Sequence, residues 1–249
     1  MLCSEGPQRN ERYNHPMSSH TVKPDRVNEA AAMRRRLLQL LAGGGLGLAS
    51  MGRLARAQNL PVGTQGLQIA QGDVRINGSA AVQGSLVRPG DAVSTGTDAL
   101  ALFVVGQDAF LMRADSRAEF SGTDLALNAL RLLTGKLLGV FATGQGKRLD
   151  TPSATIGIRG TGAYLEVEEG RTYFFLCYGS AEIATIGGEA RDAYETTHHE
   201  SPRYIYGDRR EQAIVPANVS NHTDAELIML EALVGRSPPQ GFMDSPIRY

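Results

Sequence analysis

The chain has 249 residues, 42% hydrophobic, 6% aromatic and 20% charged, with 29 glycines, 11 prolines and no tryptophan. This is globular composition, with material for one sizeable core or two small ones, and so many glycines suit tight turns between short strands. The net charge of −1 conceals a split, because residues 1–57 hold nine basic and four acidic side chains and residues 58–249 carry a net −6. An acidic body argues against a partner with a phosphate backbone, so no nucleic acid is expected.

Residues 1–32 are polar and patternless, which fits disorder or a true start downstream, at Met17 or Met33. Residues 33–57 read as a signal peptide. Arg34-Arg35-Arg36 supplies the basic end, Leu37–Ala49 an apolar run diluted by glycine, and Ala55-Arg56-Ala57 an Ala-x-Ala cleavage site that would leave Gln58 as the new N-terminus. A permanent span needs about 20 strongly apolar residues. Arg34 and Arg35 followed by Leu37-Leu38 resemble a twin-arginine export motif, and Arg53 and Arg56 before the cleavage site favour that route. The expectation is a periplasmic protein with no stable membrane span; the alternative is an inner-membrane signal anchor facing the periplasm. With the leader removed, Cys3 is lost and Cys177 has no intrachain disulfide partner.

Residues 58–66 read as a linker, and residues 67–210 as short strands separated by turn chemistry. Asn77-Gly78 is a two-residue hairpin signal, since both positions need positive φ. Pro89-Gly90-Asp91 and Gly106-Gln107-Asp108 mark further turns, and Ala99–Val105 is apolar on both faces, as in a buried strand. Ala154, Ile156 and Ile158 alternate, as do Ala163, Leu165 and Val167, and Thr172–Tyr178 is strongly β-prone. About a dozen strands at this spacing predict an all-β fold. Residues 211–249 form a tail with a helix over 224–234. There Thr223-Asp224-Ala225-Glu226 is a capping box, Leu227, Leu230 and Val234 share a face, and Gly235 with Pro238-Pro239 stops the helix. So short a helix must dock on the β body or on a partner.

From Gln68 to Gly187 the chain resembles the FecR-type domain of bacterial extracytoplasmic proteins. The pieces that carry the resemblance occur in order: Gly72-Asp73-Val74 with Asn77-Gly78, Pro89-Gly90-Asp91, Thr95-Gly96-Thr97-Asp98, Ala109–Arg113, Gly135–Leu138, and Thr151-Pro152 through Gly157-Ile158-Arg159-Gly160-Thr161-Gly162. The resemblance implies a jelly-roll-like sandwich or short β-roll facing the periplasm, with no catalytic residues. Its best-known members regulate iron-uptake sigma factors and carry a cytoplasmic helical domain before one membrane span. The segment before the leader in this chain is too short and polar for such a domain, so the resemblance implies a stand-alone exported member.

The candidate site is therefore the motif itself, Thr151, Pro152, Gly157, Ile158, Arg159, Gly160, Thr161 and Gly162, with Arg159 expected to fold back onto strand-end carbonyls or to pair with Asp91 or Asp150. Gly157–Gly160 has the GxxG form of an RNA-binding loop but β-prone flanks, and Gly144–Lys147 lacks the glycine and Ser/Thr of a phosphate loop. His198-His199-Glu200 is expected in a solvated loop, because adjacent histidines on a strand point to opposite faces. Cys177 is expected to be buried and inert, Glu166 and Glu168 to be solvated, and Tyr194, Tyr204 and Tyr206 to pack or to form a shelf for a glycan. No catalytic set, metal site or cofactor is expected. The expected function is that of a binding or sensory scaffold in envelope signalling, contacting an envelope or membrane sensor protein. A cell-wall or carbohydrate module, and regulation of iron uptake or transcription through a partner, are the alternatives.

Overall fold

The computed structural model describes residues 62–242, apart from 124–125, 145, 200 and 209–210. The leader, with Arg34, Arg35, Ala55, Ala57 and Gln58, lies outside them. No helix of the described residues is long and apolar enough to cross a membrane.

The chain is all-β with one short helix among the described residues. The strands are β1 (Gly66–Gln71), β2 (Val74–Ile76), β3 (Ser79–Ala80), β4 (Ala92–Thr95), β5 (Leu100–Val105), β6 (Asp108–Met112), β7 (Arg117–Thr123), β8 (Ala126–Val140), β9 (Lys147–Asp150), β10 (Ala154–Glu168), β11 (Arg171–Thr185), β12 (Arg191–Thr196), β13 (Arg203–Tyr206) and β14 (Ile214–Pro216), and the helix is α1 (Asp224–Leu233). All fourteen strands belong to one open sheet, whose longest path runs β14-β13-β11-β10-β9-β8-β7-β4-β2-β3. Every pairing is antiparallel except β8 with β9. The Asn77-Gly78 hairpin forms as expected, with φ of 52° and 81°.

The alternating runs at 154–158 and 163–167, expected as separate strands, are one long strand, and a second strand is as long. Residues Ala154–Glu168 run unbroken as β10, and Ala126–Val140 as β8. Each carries a bulge at which the inward-facing parity flips. In β10, Ile156 and Ile158 face the main core and then Ala163 and Leu165 do. In β11 the change is from Phe174 and Leu176 to Ala181 and Ile183, and in β8 from Leu130 and Leu132 to Leu137. Side chains alternate along a strand, so a bulge that changes the count exchanges the faces. The β10 and β11 shifts face each other, at Arg159–Ala163 and Leu176–Ser180, and make a corner; that of β8, at Leu132–Thr134, lies away from it. At the corner, Gly160 and Gly179 have φ of 58° and 94°, and a Cβ on Gly179 would lie 2.5 Å from Thr161 Cγ2 and 2.8 Å from the Gly160 carbonyl. Glycine is the residue that accepts both demands.

The corner divides the sheet into two halves that share one main core, in which Phe103, Phe110, Phe120 and Phe141 meet tilted or edge-on. In the covered half, the residues after the corner in β10, before it in β11 and after the bulge in β8, together with β5 and β6, are apolar on their outer face as well. Leu102, Val104, Leu138, Val140, Tyr164, Tyr173, Phe175 and Cys177 lie under Leu227, Leu230 and Leu233 of α1. That second cover explains why β5 reads as apolar on both faces. The helix begins at the predicted cap, with Thr223 accepting from the Glu226 backbone and Glu226 reaching back to the Thr223 backbone. In the open half the outer face of β9, β10, β11 and β12 meets solvent. A buried ion pair joins the halves: Lys147 of β9 reaches Asp108 of β6 at 2.9 Å and donates to the Leu127 carbonyl at 2.8 Å.

Candidate functional site

The motif residues divide between the two faces. Thr151 is buried and accepts from the Ala154 backbone and from Thr172, which in turn accepts from Ser153. Pro152 is exposed, and Ile158 belongs to the main core. Gly160 and Thr161 form the corner, where the Thr161 carbonyl accepts from the Phe141 backbone. Gly162 is a site of close approach, since a Cβ there would lie 2.6 Å from the Tyr178 ring and 3.0 Å from Leu227 of α1. The glycine is what lets the helix settle onto the sheet.

Gly157 and Arg159 face the other way, into an open groove of ≈ 680 Å³ on the outer face of the open half. Gly157 sits between Arg148 of β9 and Glu182 of β11 in register. Arg148, Arg159, Glu182 and Glu195 give the rim both signs of charge. Arg159 is exposed and makes no hydrogen bond or ion pair among the described residues. The expected intramolecular tie, to strand-end carbonyls or to Asp91 or Asp150, does not form, and both carboxylates have other partners. Asp150 takes Arg148 and Thr155, and Asp91 takes Asn77 and the Arg88 backbone. Beside the groove β12 pairs with β11 alone, so that among the described residues its other edge is unpaired.

The tyrosine shelf does not assemble. Tyr194 packs toward the main core with Arg203 over its ring at 4.7 Å, whereas Tyr204 lies on the opposite face with Arg171 over its ring at 3.9 Å. Glu166 is not merely solvated: it pairs with Lys136 at 2.7 Å and accepts from Asn221 at 2.6 Å and Tyr164 at 3.1 Å. It thereby anchors the segment before α1 to the sheet, as does Arg113, which pairs with Glu226 at 3.0 Å and donates to the Asn221 carbonyl at 2.9 Å.

The second cluster lies between α1 and the sheet. His198 and His199 are buried, not in a solvated loop, at 3% and 1% exposure. The chain leaves β12 and turns: His199 has φ of 44° and its N–H donates to the Cys177 carbonyl at 2.9 Å. Because this backbone is not extended, the alternation rule does not apply, and the two imidazoles stack at 4.5 Å. His222, just before the helix, stacks on Tyr164 and meets Phe175 edge-on. Its Nε2 stands 3.2 Å from Cys177 Sγ and 3.3 Å from His199 Nε2. Asp224, in the first turn of α1, meets His198 Nε2 with Oδ2 at 3.3 Å, while its Oδ1 lies 3.1 Å from His199 Nδ1 without a hydrogen bond.

Burial sets the protonation of this cluster. It pushes His199 down to about 3, with help from the neighbouring His222 and His198, and His222 down to about 4. It pushes the Cys177 thiol well up, as expected for a buried inert cysteine. Cys177 and His222 thus resemble a nucleophile and its base only in spacing. A reactive cysteine needs a lowered pKa and access, and Cys177 has neither, being fully buried. Nothing in the local sequence pattern placed residues 177, 198, 199 and 222 together. The available signal was composition, because three of the five histidines stand between 198 and 222.

No protein-family profile matches the chain, and no curated protein sequence matches it. Among solved structures it is similar to two crystal structures of a candidate anti-sigma factor from Parabacteroides distasonis ATCC 8503. Each is 10% identical, with a TM-score of 0.42 over 51% of this chain and 59% of that one. The match spans little more than half of that protein's length, and at this identity and score it carries no functional argument.

Proposed function

We propose that this chain is an exported, non-catalytic binding or sensory module of the FecR type, acting in envelope signalling by protein–protein contact from the periplasm. The observation that carries the reading is the edge of β12 beside the Gly157 groove, unpaired among the described residues. An extended segment of a partner adds its backbone to such an edge and places alternate side chains in the adjoining groove. Mixed charge on the rim, from Arg148, Arg159, Glu182 and Glu195, suits a peptide better than a phosphate backbone. The unpaired Arg159 is the side chain best placed for a partner's carboxylate. An envelope or membrane sensor is the expected partner, and any effect on transcription or iron uptake would run through it.

Gly157→Tyr tests this directly. The nearest atom to a Cβ at Gly157 is the Glu182 carbonyl at 3.9 Å, so the substitution fills the groove without disturbing the fold. A photo-crosslinker at Glu195 in cells should join one discrete envelope protein, and Gly157→Tyr should remove that product while the protein accumulates normally. An unchanged product would sink the reading. N-terminal sequencing of periplasmic material should begin at Gln58.

A further inference from the structure

We propose that Cys177, His199 and His222 bind one thiophilic transition-metal ion, zinc(II) or copper(I), and that the ion clasps the turn at 197–199 and the start of α1 to the covered half of the sheet. The inference rests on the second cluster and not on the groove or its partner.

Every histidine and cysteine among the described residues lies in this cluster. The three ligand atoms lie within 4.8 Å of one another, and two of the separations can be compared with metal geometry. Bond lengths of about 2.0–2.1 Å to nitrogen and about 2.3 Å to sulfur put tetrahedral ligands about 3.3 Å apart for two nitrogens and about 3.6 Å apart for nitrogen and sulfur. The two Nε2 atoms stand at 3.3 Å and the sulfur–nitrogen pair at 3.2 Å. One edge matches, and the other widens to its metal-bound value by a small side-chain rotation.

The surroundings are those of a metal ligand set. A ligating histidine characteristically donates its other ring N–H to a carboxylate, which fixes the tautomer. His199 Nδ1 lies 3.1 Å from Asp224 Oδ1, a buried oxygen without a hydrogen-bond partner, and the opposite ring atom, Nε2, is the one 3.3 Å from His222 Nε2. Two imidazoles with a thiol form the donor set that selects zinc or copper over magnesium or calcium. Charge also balances. On binding, the Cys177 thiol releases its proton to solvent and the Sγ–metal bond forms, while the imidazoles contribute lone pairs. For zinc, one thiolate and the adjacent Asp224 carboxylate offset the two positive charges in a buried place. The three ligands come from β11, the turn after β12 and the segment before α1, so occupancy would join pieces otherwise held there by packing and a few polar contacts.

The test uses the full chain carrying Cys3→Ser, stripped of metal by chelation. Zinc(II) and copper(I) are titrated separately against chromophoric competitors, and cobalt(II) serves as a spectroscopic probe. We expect one equivalent bound with a dissociation constant below about 1 µM, a thiolate-to-cobalt charge-transfer band, and a rise in Tm with metal. Metal analysis of protein isolated from the periplasm without chelator identifies the occupant, since raw affinity does not. Cys177→Ser should abolish the band and weaken binding at least about 100-fold, whereas Asp224→Asn should weaken it about 10–100-fold and keep the band. The proposal is overturned if the parent protein, folded with a cooperative thermal transition, binds no ion stoichiometrically. It is equally overturned if Cys177→Ser binds undiminished. The parent titration needs no variant, so a variant that fails to fold does not protect the idea.

Discussion

The two halves of the bent sheet are built largely from the same three strands, β8, β10 and β11, yet their outer faces meet opposite environments. Past the corner the outer residues are Tyr164, Tyr173, Phe175 and Leu138, sealed under α1. Before it they are Gly157, Arg159, Glu182 and Arg148, open to solvent. The difference is not in strand propensity, which is high in both. It lies in what the chain brings back over each face: α1 and the histidine turn over one, nothing among the described residues over the other. The covered half therefore carries stability and the buried cluster. The open half is free to vary, which is where a recognition surface belongs.

Substitutions can break or sharpen that contrast. The largest effect should come from Lys147→Met, which strands Asp108 in the interior. Burial already holds the Asp108 carboxyl above its ordinary range against the pull of Lys147, and removing one partner of a buried pair costs about 3–5 kcal/mol. Denaturant unfolding should show this as a large fall in midpoint. Leu227→Ala, at a fully buried contact of α1 with the covered half, should cost about 2–5 kcal/mol. A loss below about 1 kcal/mol would mean that the helix is not part of the core.

Acid should act through the covered half. The folded values of His199 and His222, about 3 and about 4, lie below the ordinary 6.5. The unfolded chain therefore binds protons that the folded chain refuses, so these residues' contribution is complete above about pH 6.5 and is lost as pH falls toward 3–4. Asp108 and Glu231, raised by burial, oppose this with the other sign. Measured without metal, stability should drop between neutral pH and about pH 5, and His222→Gln should flatten the drop. The smallest effect belongs to the open half: Gly157→Ala should stay within about 0.5 kcal/mol of the parent. A loss of 2 kcal/mol or more, on the order of a core truncation, would mean that the open face is structurally committed after all.

Much of the fold was legible locally. The Asn77-Gly78 hairpin, the capping box at Thr223 and the two-sided apolar pattern of β5 all express chemistry within a few residues. The continuity of β8 and β10 was not, because a bulge leaves no mark except a glycine, and a glycine also signals a turn. Arg159 was misread for a related reason: which partners a side chain meets depends on the whole fold. The histidine cluster was hidden twice over. Its members are scattered along the chain, and His198-His199 escapes strand alternation only because His199 turns to positive φ.

The Lys147–Asp108 pair has one more consequence, for how the molecule completes itself. Lys147 arrives with β9 and Asp108 with β6, from opposite sides of the corner. Either half assembled alone would enclose an unanswered charge, a penalty of several kcal/mol. Each half thus vetoes the other's premature closure. The sheet should form as one cooperative unit, with no autonomous fragment to be cut out on either side of the bend.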